Sequence, residues 1–278
     1  MREDSVTLTR EFLKANDRDR YQISLLARDE ARDAMQALFA FSADVAAVRE
    51  RVHEPAPGEI RLQWWADALE GEQHGVVSQN PVADALLWAV ERYRLPREPL
   101  LALIAARRFD LYDDPMPDIG TFEGYAGETV SVLFQMAAMI LNNGREVPGS
   151  ANAAGHLGVA DALLGHIRAF GFNASRGRLF LPASVFAAHG VAEADIFSGT
   201  ASEGMRNALA QFREMALDHL TKAKSEARKL PGNVRPAFAH VGVLGHYGRL
   251  AGRQVNQPFA PPAKIAEWRK ILALVFSV

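Results

Sequence analysis

The chain has 278 residues, of which 49% are hydrophobic and 23% are charged, and its formal net charge is −2. These values are ordinary for a soluble globular protein and give no global basic field that would recruit nucleic acid. There is no cysteine, which excludes disulfides, thiol catalysis and thiolate metal sites. Residues 1–17 lack the apolar core of a signal peptide, and no apolar stretch reaches the ~20 residues of a spanning helix. We therefore expect a cytoplasmic protein whose contact with a membrane is at most peripheral.

The hydrophobic periodicity is helical along almost the whole chain, and no strand-turn-strand pattern occurs. Proline- and glycine-containing turns separate the periodic segments, and Asn142-Asn143-Gly144 predicts a helix end. In chain order we predict helices over 6–15, 18–27, 29–53, 58–71, 81–94, 97–110, 121–142, 151–171, 182–188, 201–229, 234–252 and 262–276. The fold class is therefore all-α, and we expect one domain over residues 1–278.

Two segments resemble the signatures of the squalene/phytoene synthase family. Residues 21–51 read YQISLLARDEARDAMQALFAFSADVAAVRER, like the opening helices of that family. Residues 157–182 read LGVADALLGHIRAFGFNASRGRLFLP, like its second signature. The resemblance implies an isoprenoid-synthase-like helical bundle around a central cavity, with the segments 29–53 and 151–171 facing each other across it.

The active enzymes of this family carry a DxxxD-type motif for Mg²⁺ in each signature. The matching positions here are Ala46, Ala47 and Glu50 in the first segment, and Ala169 and Asn173 in the second. Mg²⁺ is held by hard carboxylate oxygens and neutralises the charge on the departing diphosphate. One carboxylate cannot build that site, so we predict no metal and no other cofactor, with Mg²⁺ expected only if the protein is an enzyme with an altered site.

Two other acidic patterns do not replace the missing carboxylates. Asp44 precedes Glu50 by six residues, which is about 120° round a helix, so the two should not converge. Asp110 and Asp114 have the DxxxD spacing, but Pro115 disfavours the α conformation at Asp114. We interpret this stretch as a helix end followed by an acidic loop.

Five residues are candidates for ligand binding. Arg168, Arg176 and Arg178 lie near the second signature, and guanidinium groups suit phosphate or carboxylate. The resemblance implies a retained diphosphate site at these arginines; the alternative is that they pair with acidic neighbours and fix the turn into Leu181-Pro182. Tyr21 and Ser24 lie where the family has substrate-facing residues, although core packing or helix-end bonding is the favoured role for each taken alone.

The aromatic and histidine residues give weaker signals. Trp64 and Trp65 are adjacent, so we expect one to pack in the core and the other to line a cavity or an interface. His166 lies in an apolar helix and is predicted to be a core residue. No nucleophile elbow or glycine-rich phosphate loop occurs in the sequence.

A finer resemblance points to a non-catalytic branch of the family that includes an assembly factor of respiratory complex I. It is carried by ALFAFSADVAAVRE, RLQWWADALE, DLYDDP and EGYAGETVSVL, in which Glu128 puts a charge where a prenyl tunnel should have none. This resemblance implies complex I subunits or assembly intermediates as partners, an isoprenoid or lipid ligand, and a location peripheral to the inner membrane. The alternatives are a prenyl diphosphate-condensing transferase with an altered metal site, and a transferase with different chemistry in the old cavity.

Overall fold

The computed structural model describes residues 3–72 and 77–277, and every regular element in this part of the chain is helical. The fifteen α-helices are α1 Glu3–Asn16, α2 Arg18–Ser24, α3 Asp29–Ala46, α4 Val48–Arg51, α5 Pro55–Glu70, α6 Pro81–Tyr93, α7 Glu98–Arg107, α8 Ile119–Ala126, α9 Val132–Leu141, α10 Ser150–Ala174, α11 Ala183–Ala188, α12 Glu193–Phe197, α13 Glu203–Lys229, α14 His240–Asn256 and α15 Glu267–Val275. A π-helical turn, Gly127–Ser131, joins α8 to α9. Short 3₁₀ turns lie at Val77–Gln79, Arg108–Leu111 and Arg235–Phe238.

Local sequence explains where several helices begin and end. The side chains of Asp17, Asn80 and Ser202 accept hydrogen bonds from backbone N–H groups in the first turns of α2, α6 and α13. Such caps satisfy donors that the helix itself leaves free. At the end of α9 the chain turns through Asn143 and Gly144, both with positive φ, which confirms the predicted stop.

The long helices α10 and α13 pack along each other in the centre of the bundle, and the buried apolar side chains form one continuous cluster. α10 also lies directly on the π-helical turn. A Cβ atom at Gly158 would overlap the side chain and backbone of Ser131, so only glycine permits this approach. That contact fixes the wall of the central cavity described below.

The all-α prediction is confirmed, and the differences from the predicted elements have local causes. The segment 29–53 is interrupted at Ala47, between α3 and α4. The short α12 was not predicted, because five residues give too little periodicity. α15 starts at Glu267, five residues later than predicted.

One continuous helical run, Ile119–Leu141, is long and apolar enough to cross a membrane by length and composition alone. It spans 23 residues, and 72% of its most apolar window is buried inside the bundle. It therefore has the surroundings of a core helix, although its length exceeds what the sequence predicts for any apolar stretch.

Candidate functional site

A central cavity of about 330 Å³ lies between the two signature segments. The ends of α3 and α10 face each other across it, as predicted, and α2, α7 and the α8–α9 helix complete the wall. The lining residues include Arg20, Ala46, Arg49, Glu50, Arg107, Asp110, Tyr125, Thr129, Asp161, His166, Ala169 and Asn173.

All four positions that correspond to the outer aspartates of the family's metal motifs line this one cavity. Three of them, Ala46, Ala169 and Asn173, carry no charge. The fourth, Glu50, accepts a hydrogen bond from Arg178 Nη1 at 2.5 Å. The backbone therefore still brings the former ligand positions together, but the remaining carboxylate is already neutralised by an arginine.

A second ion-pair partner of Arg178 lies in the loop after α7. Asp113 Oδ1 is 3.1 Å from Arg49 Nη2 and 3.7 Å from Arg178 Nε. Glu50, Asp113 and the two arginines thus form an alternating charge cluster beside the cavity. This arrangement holds α4, the acidic loop and the end of the second signature together.

Asp161 on α10 is the centre of a second charge network. Its carboxylate is 3.1 Å from Arg20 Nη2 and 3.3 Å from His240 Nε2, while Arg20 also pairs with Asp17 at 2.7 Å. Burial by itself raises the pKa of Asp161, but the charges of His240 and Arg20 outweigh burial and hold it at about 2. The same carboxylate raises the pKa of His240 against the effect of burial. The aspartate is therefore ionised and fully engaged.

Asp110 forms a third buried group with Arg107 and Tyr125. Its carboxylate accepts from the Tyr125 hydroxyl at 2.6 Å and from Arg107 Nη1 at 2.9 Å. Burial raises the pKa of Tyr125 well above its usual value. Asp110 lies in a 3₁₀ turn and Asp114 in an exposed loop, so the two carboxylates share no helix face, as predicted. The prediction missed that Asp110 is buried and lines the cavity.

His166 lines the same cavity from α10. Its ring stacks on Phe180, with ring centres 5.1 Å apart, and meets Phe122 edge-on at 6.0 Å. Burial lowers the pKa of His166 to about 4, so the imidazole is neutral near pH 7. It behaves as the core histidine that the sequence predicts, with one edge open to the cavity.

The five predicted ligand residues lie in different surroundings. Tyr21 and Ser24 are absent from the cavity wall; Ser24 is buried, donates to the Tyr21 carbonyl and accepts from Gln36. Arg168 lies over the Tyr247 ring at 3.7 Å, and Arg176 lies over Phe172 at 3.6 Å.

Arg178 contacts one of the former metal positions through its bond to Glu50. However, none of the five predicted ligand residues is among those that line the cavity. Ligand binding by these five residues stays a prediction. From α2, the side chain that reaches the cavity is that of Arg20, which the sequence did not single out. Its pairing with Asp161 over 141 residues of sequence has no local signal in the chain.

Glu128 corrects one part of the sequence argument. Its side chain is exposed on the π-helical turn and does not line the cavity, so it says nothing about a prenyl tunnel. Asp44 behaves as expected: it accepts from Trp65 Nε1 at 3.0 Å and from Arg51 at 2.5 Å, away from Glu50. Trp65 is buried, whereas Trp64 lines two surface cavities, which confirms the predicted division.

The donor set of the cavity does not fit a magnesium cluster. Its three carboxylates, from Glu50, Asp110 and Asp161, are each bound to at least one arginine. In the described ranges, the one group of three carboxylates close enough to share an ion lies at the end of α5, outside this cavity. A divalent ion would have to displace arginines before it could bind.

Three of the arginines that line the cavity also carry orphaned donor atoms. Arg20, Arg49 and Arg107 each have a buried Nε atom that finds no partner within residues 3–72 and 77–277. Buried donors are normally satisfied, so these atoms are exceptions within the charge network. They are enclosed by protein and do not open into the cavity.

Comparisons with known proteins agree with this description. The family model "Squalene/phytoene synthase" matches residues 13–269. The protein "NADH dehydrogenase (ubiquinone) complex I, assembly factor 6" of Rattus norvegicus is 31% identical, over 96% of this chain and 83% of the relative. The 15-cis-phytoene synthase of Synechococcus elongatus is 26% identical, over 75% of this chain and 72% of that enzyme.

Among solved structures, a dehydrosqualene synthase in complex with ligand superposes with a TM-score of 0.80, covering 99% of this chain and 95% of that one. Its identity is 17%, so this match bears on the fold alone. The family match over residues 13–269 includes both signature segments, which lie on either side of the central cavity. The chain belongs to the squalene/phytoene synthase family.

Proposed function

We propose that this protein is a non-catalytic member of its family that acts in the assembly of respiratory complex I, with a cavity that binds a lipid or isoprenoid. The observation that carries the non-catalytic part is the pairing of every carboxylate in the cavity with an arginine, Glu50 with Arg178 in particular. Without a metal cluster, the charge on a departing diphosphate is not neutralised. Arginines alone stabilise a bound diphosphate in its ground state, which does not accelerate ionisation.

The assembly role is supported by the named relatives. Proteins called complex I assembly factor 6 from four mammals are 30–31% identical to this chain, and homologues from Dictyostelium discoideum and Drosophila melanogaster are 26% and 27% identical. Two phytoene synthases are 26% and 28% identical. Both kinds of protein share the fold, so the fold does not separate them. The lost carboxylates and the higher identity to the mammalian assembly factors both favour an assembly role over catalysis. We propose complex I subunits or assembly intermediates as partners, and a location peripheral to the inner membrane.

Ligand binding in the cavity is supported by its size and its donors. A volume of about 330 Å³ lies at the lower end of the range of about 300–1,000 Å³ for small-molecule sites. Three arginines, Arg20, Arg49 and Arg107, line the cavity. Guanidinium groups suit a ligand with a polar or anionic head.

The experiment is deletion of the gene in its native host, followed by measurement of complex I activity and of squalene and carotenoid levels. We expect lower complex I activity and unchanged terpenoids. Complementation with the wild-type gene should restore the activity. Normal complex I together with a missing terpenoid would show that the protein is an enzyme.

The second candidate is a prenyl diphosphate-condensing transferase with a displaced metal site. The observation in its favour is that Asp110 and Asp161 line the same cavity as Glu50. Calorimetric titration of Mg²⁺ with a diphosphate analogue separates the two: tight binding that is lost in Glu50→Ala supports the enzyme.

A matched variant makes that titration interpretable. Restoring the aspartates with Ala46→Asp, Ala169→Asp and Asn173→Asp returns carboxylates to positions that already converge on the cavity. We expect metal-dependent binding of the analogue in this variant and none in the wild type. If both bind equally, the wild-type cavity has a metal site that its paired carboxylates do not reveal.

A further inference from the structure

The last helix, α15, exposes a continuous apolar face. Trp268, Ile271, Leu272, Val275 and Phe276 are 59%, 49%, 45%, 50% and 82% exposed. Their spacing of three and four residues places them on one side of the helix. Scattered exposed apolar residues are normal, but five large ones on a single helix face form a patch.

Two of the three polar residues of α15, Glu267 and Lys270, bond to α2, while Arg269 is exposed. Lys270 donates to Asp19 at 2.7 Å and is only 9% exposed. Glu267 accepts from Gln22 at 2.7 Å and pairs with Arg18 at 2.9 Å. A surface helix of a globular protein normally buries its apolar side and exposes its charges. The polarity of α15 is inverted, so the fold itself is not the partner of its apolar face.

Close packing holds α15 in this orientation. A Cβ atom at Gly242 on α14 would overlap the carbonyl of Ala273, so α14 and α15 touch at their backbones. The Ser277 hydroxyl donates to the Ala239 carbonyl at 2.8 Å. Rotation that would bury the apolar face would break these contacts and the buried Lys270–Asp19 pair.

The surroundings of the apolar face are basic. Lys224, Arg228 and Arg235 line a cavity of about 250 Å³ together with Phe276, and the residues that line it include no acid. At the other end of the helix, Arg269 lies over the Trp268 ring at 5.1 Å. None of these four cations forms an ion pair with another described residue. The one acid of α15, Glu267, is already engaged by Arg18, Gln22 and Lys270.

From this arrangement we propose that α15 docks on the surface of an anionic lipid bilayer, with its apolar face among the acyl chains and the surrounding cations on the lipid phosphates. An apolar helix face with a tryptophan and a basic rim is the composition of helices that lie in the membrane interface. Anionic lipid attracts each nearby cation, whereas a protein partner would need acids matched to these positions. The proposal does not depend on the role in complex I assembly.

The test is flotation of the purified full chain with vesicles of phosphatidylglycerol and phosphatidylcholine, compared with vesicles of phosphatidylcholine alone. We expect binding to the anionic vesicles, a loss of binding as salt is raised, and a shift of tryptophan emission to shorter wavelength. Trp268→Ser with Phe276→Ser should lower the affinity at least tenfold. The matched control is Leu8→Ser with Ile60→Ser, which removes two equally exposed apolar side chains far from α15.

A charge variant tests the basic rim separately. Lys224→Gln with Arg228→Gln should weaken binding to anionic vesicles by more than tenfold, at about fivefold for each cation. The control is Lys222→Gln with Lys229→Gln, which removes two cations from the same helix that are already paired. Circular dichroism confirms that each variant is folded.

Two results would overturn the proposal. The first is a wild-type chain that does not bind anionic vesicles, which would favour a protein as the partner of the apolar face. The second is binding that survives Trp268→Ser with Phe276→Ser, which would place the membrane contact elsewhere.

Discussion

The central cavity and the outer face of α15 depart from the usual distribution of polarity in opposite directions. The cavity wall buries arginines and aspartates, among them Arg20 and Asp161, where the family's fold encloses a prenyl substrate. α15 exposes residues such as Trp268 and Phe276, where a soluble surface should be polar. The interior therefore holds a charge network in which every cavity carboxylate is paired with an arginine, while α15 exposes apolar surface.

The cavity and α15 differ in whether their side chains have partners within the fold. In the cavity, each carboxylate has a cationic partner, so the network stabilises the fold and leaves little capacity for a metal. On α15, the apolar side chains lack a partner in the described chain, so they contribute little to folding. Mutations in the cavity network should therefore lower the stability of the fold. Mutations on the outer face of α15 should mainly change its binding to a membrane.

The largest expected effect comes from breaking the cavity network. Asp161→Ala removes the carboxylate that Arg20 and His240 share, although Arg20 keeps its pair with Asp17. Removing one member of such a buried charge network costs about 3 kcal/mol of unfolding free energy. Asp113→Ala is the control, because Asp113 also pairs with arginines but is 62% exposed. Its cost should stay below about 1 kcal/mol. Urea unfolding measures both; equal costs would mean that the cavity network is not buried in solution.

A packing variant tests the wall that supports this network. Gly158→Ala forces a Cβ atom onto Ser131 and should cost about 2 kcal/mol. Gly155 lies on the same helix, and a Cβ atom there would meet nothing within 4 Å. Gly155→Ala should therefore be neutral or stabilising by about 0.5 kcal/mol. Thermal unfolding distinguishes the two, and a neutral Gly158→Ala would show that α10 and the π-helical turn lie further apart.

The pH dependence of stability should contain a contribution from His166. Its pKa is about 4 in the folded protein, against 6.5 for an ordinary histidine, so the unfolded chain binds the extra proton between these values. This group costs the folded protein little above pH 6.5, and the loss of stability grows as the pH drops towards 4, reaching about 2 kcal/mol at pH 5.

His166→Gln should flatten this slope, whereas His53→Gln, at an exposed site, should leave it unchanged. Urea unfolding at pH 5 and pH 7 measures the difference. A slope that persists in His166→Gln would mean that another group causes it.

The smallest expected effect on stability comes from the outer face of α15. Trp268→Ser with Phe276→Ser should change the unfolding free energy by less than about 0.5 kcal/mol per residue, because both side chains are already exposed. The same double variant is expected to lose membrane binding. A large loss of stability would show that these side chains pack against the bundle in solution.

The sequence predicted the helices, the family and the convergence of Ala46, Glu50, Ala169 and Asn173, because helical periodicity and signature spacing are local patterns. It did not predict the cavity network. Arg20 meets Asp161 across 141 positions, and His240 reaches it across 79, which no local pattern encodes. The orientation of Glu128 was also missed, because the π-helical turn alters the order of faces along α8 and α9.

Incubation of the purified protein with farnesyl or geranylgeranyl diphosphate and Mg²⁺, followed by product analysis, tests the central claim most directly. An authentic phytoene synthase assayed in parallel serves as the positive control. We expect no squalene, phytoene or other condensation product above the background without protein, because Glu50 is bound by Arg178 and the other three metal positions lack carboxylates. Metal-dependent formation of a condensation product by the wild-type chain, abolished in Glu50→Ala, would contradict the account.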